Sequence, residues 1–284
     1  MGADVIWQTA GFGIALDTPR VMGIVNVTPD SFSDGGAHER PGDAIAHCEA
    51  LVAQGADILD IGGESTRPGA STPTLEQELQ RVLPVVRHAV RLGVPVSVDT
   101  SRPEVMQAVL DEGADIVNDV RALQRPGTID VLARHPRAGV CLMHMQGEPS
   151  TMQAKAAYAD VVSEVRTFLV QRAQALQDAG IARERIVLDP GIGFAKTVEH
   201  NLELLRRQRE LLEAGYPLLV GWSRKSTLGT LTGRAVADRQ AASVAAALAA
   251  VARGASIVRV HDVAATVDAL KVWHAAGLAN TKEN

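Results

Sequence analysis

The sequence has few of the features that mark nucleic-acid-binding, membrane or secreted proteins. Its 28 basic residues are outnumbered by 33 acidic ones, and no basic cluster stands out. We therefore expect neither nucleic acid nor a membrane surface as a partner, because both require a basic patch. The longest apolar run, residues 244–252, is far shorter than the roughly 20 residues that cross a bilayer. The first residues include no basic segment, and Asp4 and Asp17 interrupt their apolar stretch, so we expect no secretion signal.

Cysteine is also scarce. Cys48 and Cys141 lie in a helix-like and a strand-like segment, and neither belongs to a cluster with metal-ligand spacing. We interpret both as buried free thiols in a reducing compartment. Together these absences predict a soluble, cytoplasmic protein.

The sequence is rich in short apolar segments of β type that alternate with segments of helical periodicity. Eight strand candidates recur along the chain, at residues 22–27, 58–61, 94–98, 116–118, 140–143, 186–188, 218–220 and 257–260. Capping boxes predict two of the helix starts, at Thr74 with Gln77 and at Ser101 with Glu104. Glycines of the kind that end helices precede the strands, namely Gly93, Gly113, Gly139, Gly180, Gly215 and Gly254.

Eight strand–helix units in series, with no linker between them, favour a closed (β/α)8 TIM barrel that forms a single domain over residues 1–284. A doubly wound open sheet is the alternative, but the even spacing of the strands favours closure. We expect residues 5–16 to form an N-terminal β-hairpin at the bottom of the barrel, and residues 281–284 to form a frayed tail.

Polar side chains lie at or just past the carboxyl end of every predicted strand. They are Asn26, Asp60, Asp99, Asn118, His144, Asp189, Ser223 and the pair Arg259 and His261. This end carries the active site in such barrels, so we expect these side chains to line one site. Asn26 is the most informative of them, because Asn is depleted in strands and a loop of small, acidic and glycine residues follows it. A simple cap of the strand end is the alternative for Asn26.

The strand-end carboxylates and amide favour recognition of a flat heterocycle. Asp99, Asp189 and Asn118 would face a common mouth, where they can pair with adjacent N–H and C=O groups. A metal site is the competing interpretation, although no spacing of His, Asp and Glu resembles a metal cage. Gly191 and Gly193 do not form a dinucleotide fingerprint, because the third glycine is missing.

Cationic side chains in three loops indicate phosphate binding. Arg67 lies in a glycine-containing loop, and a guanidinium can donate two parallel hydrogen bonds to a phosphate. Lys225 follows the seventh strand, and Arg259 and His261 follow the eighth, where barrels often bind phosphate. Solvated basic loops are the alternative for Arg67 and for residues 223–226.

Three further residues have less specific interpretations. Met143 is placed to pack beside a bound ring, and His144 is equally well explained as a structural histidine. Asp262 is placed as the N-cap of the last helix.

With these residues in view, the chain resembles the dihydropteroate synthase family of folate biosynthesis over essentially its whole length. The matching segments are residues 22–36, 60–69, 97–100, 118–119, 143–147, 188–196, 223–226 and 258–263. The resemblance implies a transferase that condenses 6-hydroxymethyl-7,8-dihydropterin diphosphate with 4-aminobenzoate to give 7,8-dihydropteroate and diphosphate. It also implies Mg²⁺ as cofactor, a homodimer and a target of sulfonamides.

The same resemblance implies roles for individual residues. The pterin would be held by Asp99, Asn118, Asp189 and Lys225, with Met143 beside it. Asn26 would bind Mg²⁺ together with the diphosphate. The residues that contact the diphosphate, or the loop that closes over it, would be Thr66, Arg67, Arg259 and His261. The aminobenzoate would be surrounded by Phe32, Pro68, Phe194 and Ser226.

Two other functions remain open from the sequence. A pterin-binding methyltransferase domain, which passes a methyl group to a corrinoid, shares the barrel and the pterin contacts. It would lack the loops at residues 66–69 and 223–226, which this chain has. A non-catalytic pterin-binding paralogue is the other possibility, and diphosphate release in a coupled assay would distinguish it from an enzyme.

Overall fold

The computed structural model describes residues 5–27, 41–65, 72–147 and 156–278. The strands are β1 (Ile6–Gln8), β2 (Gly13–Ala15), β3 (Arg20–Asn26), β4 (Ile58–Gly62), β5 (Val96–Asp99), β6 (Ile116–Asp119), β7 (Gly139–Met143), β8 (Ile186–Asp189), β9 (Leu219–Val220) and β10 (Ile257–Val260). The α-helices are α1 (Pro41–Ala53), α2 (Leu75–Ala89), α3 (Pro103–Asp111), α4 (Thr128–Arg134), α5 (Val161–Asp178), α6 (Val198–Arg206), α7 (Gln208–Leu212), α8 (Ser226–Thr232), α9 (Gln240–Val251) and α10 (Val263–Ala275).

Strands β3 to β10 form one parallel sheet that curls into a barrel, with helices packed around its outside. The strand order is β8-β7-β6-β5-β4-β3-β10-β9. The two ends of this order meet at a parallel bridge between Leu188 and Leu218, and the Leu188 N–H donates to the carbonyl of Pro217 at 3.0 Å. The predicted (β/α)8 barrel is therefore confirmed, and the alternative of an open sheet is wrong.

The interior of the barrel has an apolar floor that comes from alternate strand positions. It contains Met22, Ile58, Ile116, Cys141, Val187, Leu219 and Ile257, together with apolar side chains of the N-terminal hairpin. Side chains two positions apart on a strand point to the same face. Asp60, Asn118, Asp189 and Arg259 each follow a floor residue by two positions, so they lie directly above the floor. The strand period thus places the polar residues at the carboxyl-end mouth of the barrel.

The N-terminal hairpin closes the opposite end of the barrel, as predicted. Strands β1 and β2 pair antiparallel, and Trp7 on β1 is fully buried. The indole Nε1 of Trp7 donates to the carbonyl of Arg185 at 2.9 Å. The backbone N–H of Gly11 donates to Asp115 at 2.8 Å. These two bonds attach the hairpin to residues that directly precede β8 and β6, at the end of the barrel opposite the mouth.

The helix-start signals were right in one case and wrong in the other. Thr74 and Gln77 form the predicted capping box at the start of α2. The box predicted at Ser101 does not form, because α3 begins after Arg102 without a side-chain cap. The Ser101 hydroxyl instead donates to the carboxylate of Asp119. Tertiary hydrogen bonding to a buried carboxylate has here replaced a local cap.

Five of the six predicted helix-ending glycines have a positive φ, in agreement with their assignment: Gly93, Gly113, Gly180, Gly215 and Gly254. The prediction for Gly139 is wrong, because this residue begins β7. A Cβ on Gly139 would lie 3.0 Å from Thr9 Cγ2 and 3.2 Å from the Gln8 carbonyl. Gly139 therefore provides space for the hairpin rather than ending a helix.

Both cysteines are buried free thiols, as predicted. Burial raises the pKa of Cys48 to about 12 and raises that of Cys141 well above its usual value. Within the described ranges, no helix combines the length and apolar character that a membrane span requires. The tail predicted at residues 281–284 lies outside the described residues.

We expect Gly139→Ala to lower the free energy of unfolding by about 1–3 kcal/mol, the usual effect of overpacking. The added methyl group would press on the hairpin at Thr9 and Gln8. Gly42→Ala is the matched control, since a Cβ at Gly42 meets no atom within 4 Å. In this helical position alanine should leave stability unchanged or raise it by up to about 1 kcal/mol. Urea unfolding of the two variants tests this, and equal midpoints would show that the hairpin yields without strain.

Candidate active site

A buried aspartate is the centre of the hydrogen-bond network in the barrel mouth. Asp60 on β4 has no exposed surface. Its Oδ1 accepts from the Ser97 hydroxyl at 2.6 Å. Its Oδ2 accepts from Arg259 Nε at 2.6 Å and from Asn118 Nδ2 at 3.2 Å. Asp60 was predicted at a strand end without a role, and it proves to connect strands that lie on both sides of β4.

Arg259 on β10 lies between two carboxylates. Beside its bond to Asp60, its Nη2 donates to Asp99 on β5 at 3.2 Å. Burial raises the pKa of Asp99 to about 8, an effect that the charge of Arg259 opposes. Burial of Arg259 lowers the pKa of its guanidinium. The carboxylates of Asp60 and Asp99 outweigh this effect and raise the pKa. Arg259 is thus fixed by protein groups, and only part of its hydrogen-bonding edge remains for a phosphate.

Asp189 and Lys225 provide further charges in the mouth. Asp189 on β8 accepts from the backbone N–H of Gly191 at 2.7 Å, and burial raises its pKa to about 6. Burial lowers the pKa of Lys225 to about 8. The Lys225 ammonium lies 4.2 Å from the centre of the Phe194 ring, within the range of a cation–π contact.

The loop after β8 is held by a buried lysine that the sequence analysis did not single out. Lys196 Nζ lies 3.0 Å from the Phe194 carbonyl, 3.3 Å from the His144 carbonyl and 3.0 Å from His144 Nδ1. Burial lowers the pKa of Lys196 to about 7. Lys196 thereby joins the ends of β7 and β8 and positions the Phe194 ring.

His144 is a structural histidine, the alternative that the sequence left open. It is buried, and its ring packs edge-on against Phe168 with 5.0 Å between centroids. Burial, with the charge of Lys196, lowers the pKa of His144 to about 3. His144 is therefore neutral at physiological pH, and its Nδ1 faces Lys196 rather than the mouth.

The loop after β9 is held by an ion pair that the sequence also did not predict. Arg224 has a φ of 59°, which is unusual for a residue other than glycine. Its guanidinium donates to both oxygens of Asp262, at 3.2 and 2.7 Å, and its backbone N–H donates to Ser243 at 2.9 Å. Asp262 does precede α10, but its side chain makes no capping bond. Its predicted position as the N-cap residue is confirmed, but its carboxylate fixes the residue that precedes Lys225 instead of capping the helix.

His261 lies beside this loop at the end of β10. Its backbone N–H donates to Ser223 Oγ at 3.1 Å, and its Nδ1 lies 2.9 Å from the same oxygen. Burial, with the nearby charges of Arg259 and Arg224, lowers the pKa of His261 to about 3. His261 is therefore neutral at physiological pH and interacts with a ligand through hydrogen bonding rather than charge.

The remaining predicted residues have mixed outcomes. Asn26 is half-buried at the end of β3, beside Gly62 of β4. Met143 belongs to a small apolar cluster with Val120, Met145, Phe194 and Ala195. Ser226 is exposed at the first position of α8. Four predicted site residues lie outside the described residues: Phe32, Thr66, Arg67 and Pro68.

A metal held by protein groups alone does not fit the described part of the site. Among the described residues, no group of three or more His, Cys, Asp or Glu side chains could hold a metal ion. Asn26 offers one carboxamide oxygen at the rim of the mouth. A single oxygen ligand fits Mg²⁺, which often binds one or two protein groups and completes its shell with phosphates and water.

Comparison with known proteins agrees with this geometry. The sequence matches the family described as "Pterin binding enzyme" over residues 22–261, a range that includes all the strand ends at the mouth. A dihydropteroate synthase of Neisseria meningitidis serogroup B is 55% identical over 279 residues, which are 96% of this chain and 98% of that protein.

Two solved structures are similar over nearly the whole chain. Xanthomonas albilineans dihydropteroate synthase with 4-aminobenzoic acid gives a TM-score of 0.91 at 51% identity, with 97% of this chain and 99% of that chain covered. Burkholderia cenocepacia dihydropteroate synthase complexed with 7,8-dihydropteroate gives a TM-score of 0.88 at 49% identity, with 97% and 98% covered.

We expect Lys196→Met to lower the free energy of unfolding by about 1–3 kcal/mol, because the carbonyls of His144 and Phe194 lose their donor. Lys271→Met is the control, since the Lys271 side chain is 73% exposed. Urea unfolding should show no measurable change for that variant. A Lys196→Met protein as stable as the parent would contradict the role of Lys196 in joining β7 and β8.

The loss of stability in Lys196→Met should also depend on pH. Lys196 has a pKa of about 7 in the folded chain against an ordinary value of 10.5. Between these values the unfolded chain binds the proton that the folded chain has released, so Lys196 makes stability rise with pH. The stability of the parent relative to Lys196→Met should therefore increase from pH 7 to pH 10. A flat difference over this range would show that Lys196 stays charged.

Proposed function

The chain belongs to the pterin-binding enzyme family and functions as a dihydropteroate synthase, and we propose that the polar barrel mouth is its active site. The reaction joins the amine nitrogen of 4-aminobenzoate to the exocyclic methylene carbon of 6-hydroxymethyl-7,8-dihydropterin diphosphate, and diphosphate leaves. The observation that carries this assignment is the convergence of Asp99, Asn118, Asp189, Lys225 and Arg259 above the apolar floor. This set combines groups for a heterocycle with groups for a phosphate.

The pterin would be held by Asp99, Asn118, Asp189 and Lys225. An ionised Asp189 accepts hydrogen bonds at both oxygens and can receive two adjacent N–H groups of the ring. Asn118 offers both a donor and an acceptor, and the Lys225 ammonium can donate to a ring oxygen or nitrogen. Met143, with its apolar neighbours, would pack beside the ring.

Arg259 and His261 would contact the diphosphate. The N–H groups of Arg259 that Asp60 and Asp99 do not use can donate to a phosphate oxygen. Ser223 lies 2.9 Å from Nδ1 of His261. When the Ser223 hydroxyl donates to Nδ1, the ring proton is on Nε2, which can then donate to the leaving group. Thr66 and Arg67 are proposed for the same role from the family resemblance.

Asn26 would hold Mg²⁺ together with the substrate phosphates. Bound there, Mg²⁺ would offset the charge that develops on the departing diphosphate. The carboxamide oxygen at the rim of the mouth supports this proposal, because oxygen is the ligand type that Mg²⁺ prefers.

No side chain is required as a nucleophile. The C–O bond to diphosphate breaks, and the electron-rich pterin supports positive charge at the methylene carbon. The carboxylates of the mouth favour this charge, while the cations favour the leaving group. The arylamine nitrogen then forms the C–N bond and loses a proton. The protein thus acts by orientation and by electrostatic stabilisation.

The aminobenzoate would lie at the outer rim of the mouth. Phe194 is fixed there by the Lys196 bond to its carbonyl, and the exposed hydroxyl of Ser226 can bond to the carboxylate of the substrate. Phe32 and Pro68 are proposed as further walls from the family resemblance. A sulfonamide, as an arylamine analogue, would compete at this position.

Three broader expectations also rest on the family resemblance. We propose that the enzyme is a homodimer, that it is cytoplasmic, and that residues 1–284 form one domain. The continuous barrel supports the last of these, since its strands come from the full length of the described chain.

Turnover of the two substrates is the direct test of the assignment. Purified protein should release diphosphate and form dihydropteroate when Mg²⁺ and both substrates are present, and chelation of Mg²⁺ should abolish the reaction. Pterin binding without diphosphate release would identify a non-catalytic paralogue. Methyl transfer to a corrinoid in place of this reaction would identify the methyltransferase class.

We expect Asp189→Asn to weaken binding of 6-hydroxymethylpterin by about 2–4 kcal/mol, the range for a lost charge-assisted pair. In the parent protein, affinity should also fall about tenfold from pH 7 to pH 5, because Asp189 titrates near 6 and must be ionised to accept at both oxygens. Calorimetry across this range measures both effects. The fall in pterin affinity between pH 7 and pH 5 should be absent in Asp189→Asn. If the fall persists in this variant, a group other than Asp189 causes the pH dependence.

We expect His261→Ala to weaken the diphosphate-bearing substrate by roughly 10- to 100-fold, as for a hydrogen bond to a charged group. Binding of the bare hydroxymethylpterin should not change. Because the pKa of His261 is about 3, the loss should be the same at pH 6 and pH 8. His274→Ala, at an exposed position in the last turn of α10, is the control. Equal losses for both ligands would place His261 against the ring or in a purely structural role.

A further inference from the structure

We propose that Asp60 is a positioning residue that sets the hydrogen-bonding polarity of the pterin subsite by fixing the Asn118 amide and the Arg259 guanidinium together. This inference rests on the proposed function, because it concerns the residues assigned to the pterin and the diphosphate. It assigns a role in recognition to a side chain that is itself hidden from the ligand.

The position of Asp60 excludes it as a main ligand contact. The residue is fully buried within β4, and its two oxygens already accept from three protein donors. The donors are on β5, β6 and β10, namely Ser97, Asn118 and Arg259. Little capacity is left for a substrate, so Asp60 can influence binding only through the groups it holds.

The bond to Asn118 decides which way that amide faces. The oxygen and nitrogen of a carboxamide have nearly the same shape, and packing alone discriminates poorly between its two orientations. A carboxylate can only accept hydrogen bonds, so the edge of Asn118 that meets Asp60 has to be the NH₂ group, at 3.2 Å. The Asn118 oxygen and its second N–H then remain for the ring, in an order that Asp60 imposes.

The bond to Arg259 fixes the second group. Its Nε donates to Asp60 at 2.6 Å and its Nη2 donates to Asp99 at 3.2 Å. Two bonds along different directions define the plane of a guanidinium, whereas one bond would let it swing about a single contact. Asp60 therefore couples the part of the site assigned to the ring with the part assigned to the diphosphate.

Asp60→Asn tests the proposal with almost no change in shape. The new amide can either donate or accept toward Asn118, so the imposed order is lost. We expect 6-hydroxymethylpterin to bind about 10- to 100-fold more weakly, the range for disrupted hydrogen bonds to a charged group. Asp115→Asn is the matched control. Asp115 is 5% exposed and accepts backbone N–H bonds at the opposite end of the barrel, so this variant should bind the pterin within twofold of the parent.

A double-mutant cycle separates positioning from a general loss of structure. Where Asp60 acts through Asn118, Asp60→Asn should weaken binding much less in an Asn118→Ala background, to within about threefold. Independent losses that simply add would overturn the proposal, as would pterin binding by Asp60→Asn within twofold of the parent.

Ser97→Ala covers the case in which Asp60→Asn does not fold. It removes only the 2.6 Å bond to Oδ1 of Asp60 and should weaken pterin binding in the same direction by a few fold. Unchanged binding in this folded variant, when Asp60→Asn cannot be measured, would also contradict the proposal. A parent protein that does not bind hydroxymethylpterin at all would instead refute the proposed function, so the two failures are distinguishable.

Discussion

Arg259 lies between the carboxylates of Asp60 and Asp99, and this pairing allows several charged groups to be buried in the mouth of an apolar barrel. A charge removed from water is costly unless an opposite charge and hydrogen bonds compensate it. Asp60 satisfies this condition with three donors. The strands that supply these donors must keep their register, so the chemistry of the mouth and the closure of the barrel depend on each other.

The apolar floor and the hairpin provide the rigid base for this network. Trp7 and its neighbours fill the barrel below the polar layer. The hairpin thus covers the end of the barrel opposite the mouth. Loops that follow the strands are fixed by buried polar contacts of their own, through Lys196 after β8 and through Arg224 with Asp262 after β9. These contacts hold Phe194 and Lys225 against each other at the rim.

Burial also brings the titrations of the site toward neutral pH. It raises the pKa of Asp99 to about 8 and of Asp189 to about 6, and it lowers that of Lys225 to about 8. Groups poised in this way change protonation readily when a ligand supplies new partners. A ring with N–H donors favours the ionised carboxylates, and an anionic diphosphate favours the ammonium. The two parts of one substrate would thus stabilise the charge state that binds it.

The sequence by itself determined the barrel and the set of polar residues at its mouth, because strand period and strand-end position are local properties. Local patterns were insufficient at Ser101, Gly139 and Asp262, where contacts with distant elements took precedence. Only the tertiary structure decided which polar groups pair. Arg259 and Asp60 are 199 positions apart, and closure of the barrel brings them within hydrogen-bonding distance. No periodicity encodes such a bond, since it depends on how β4 and β10, which are distant in sequence, each pair with β3.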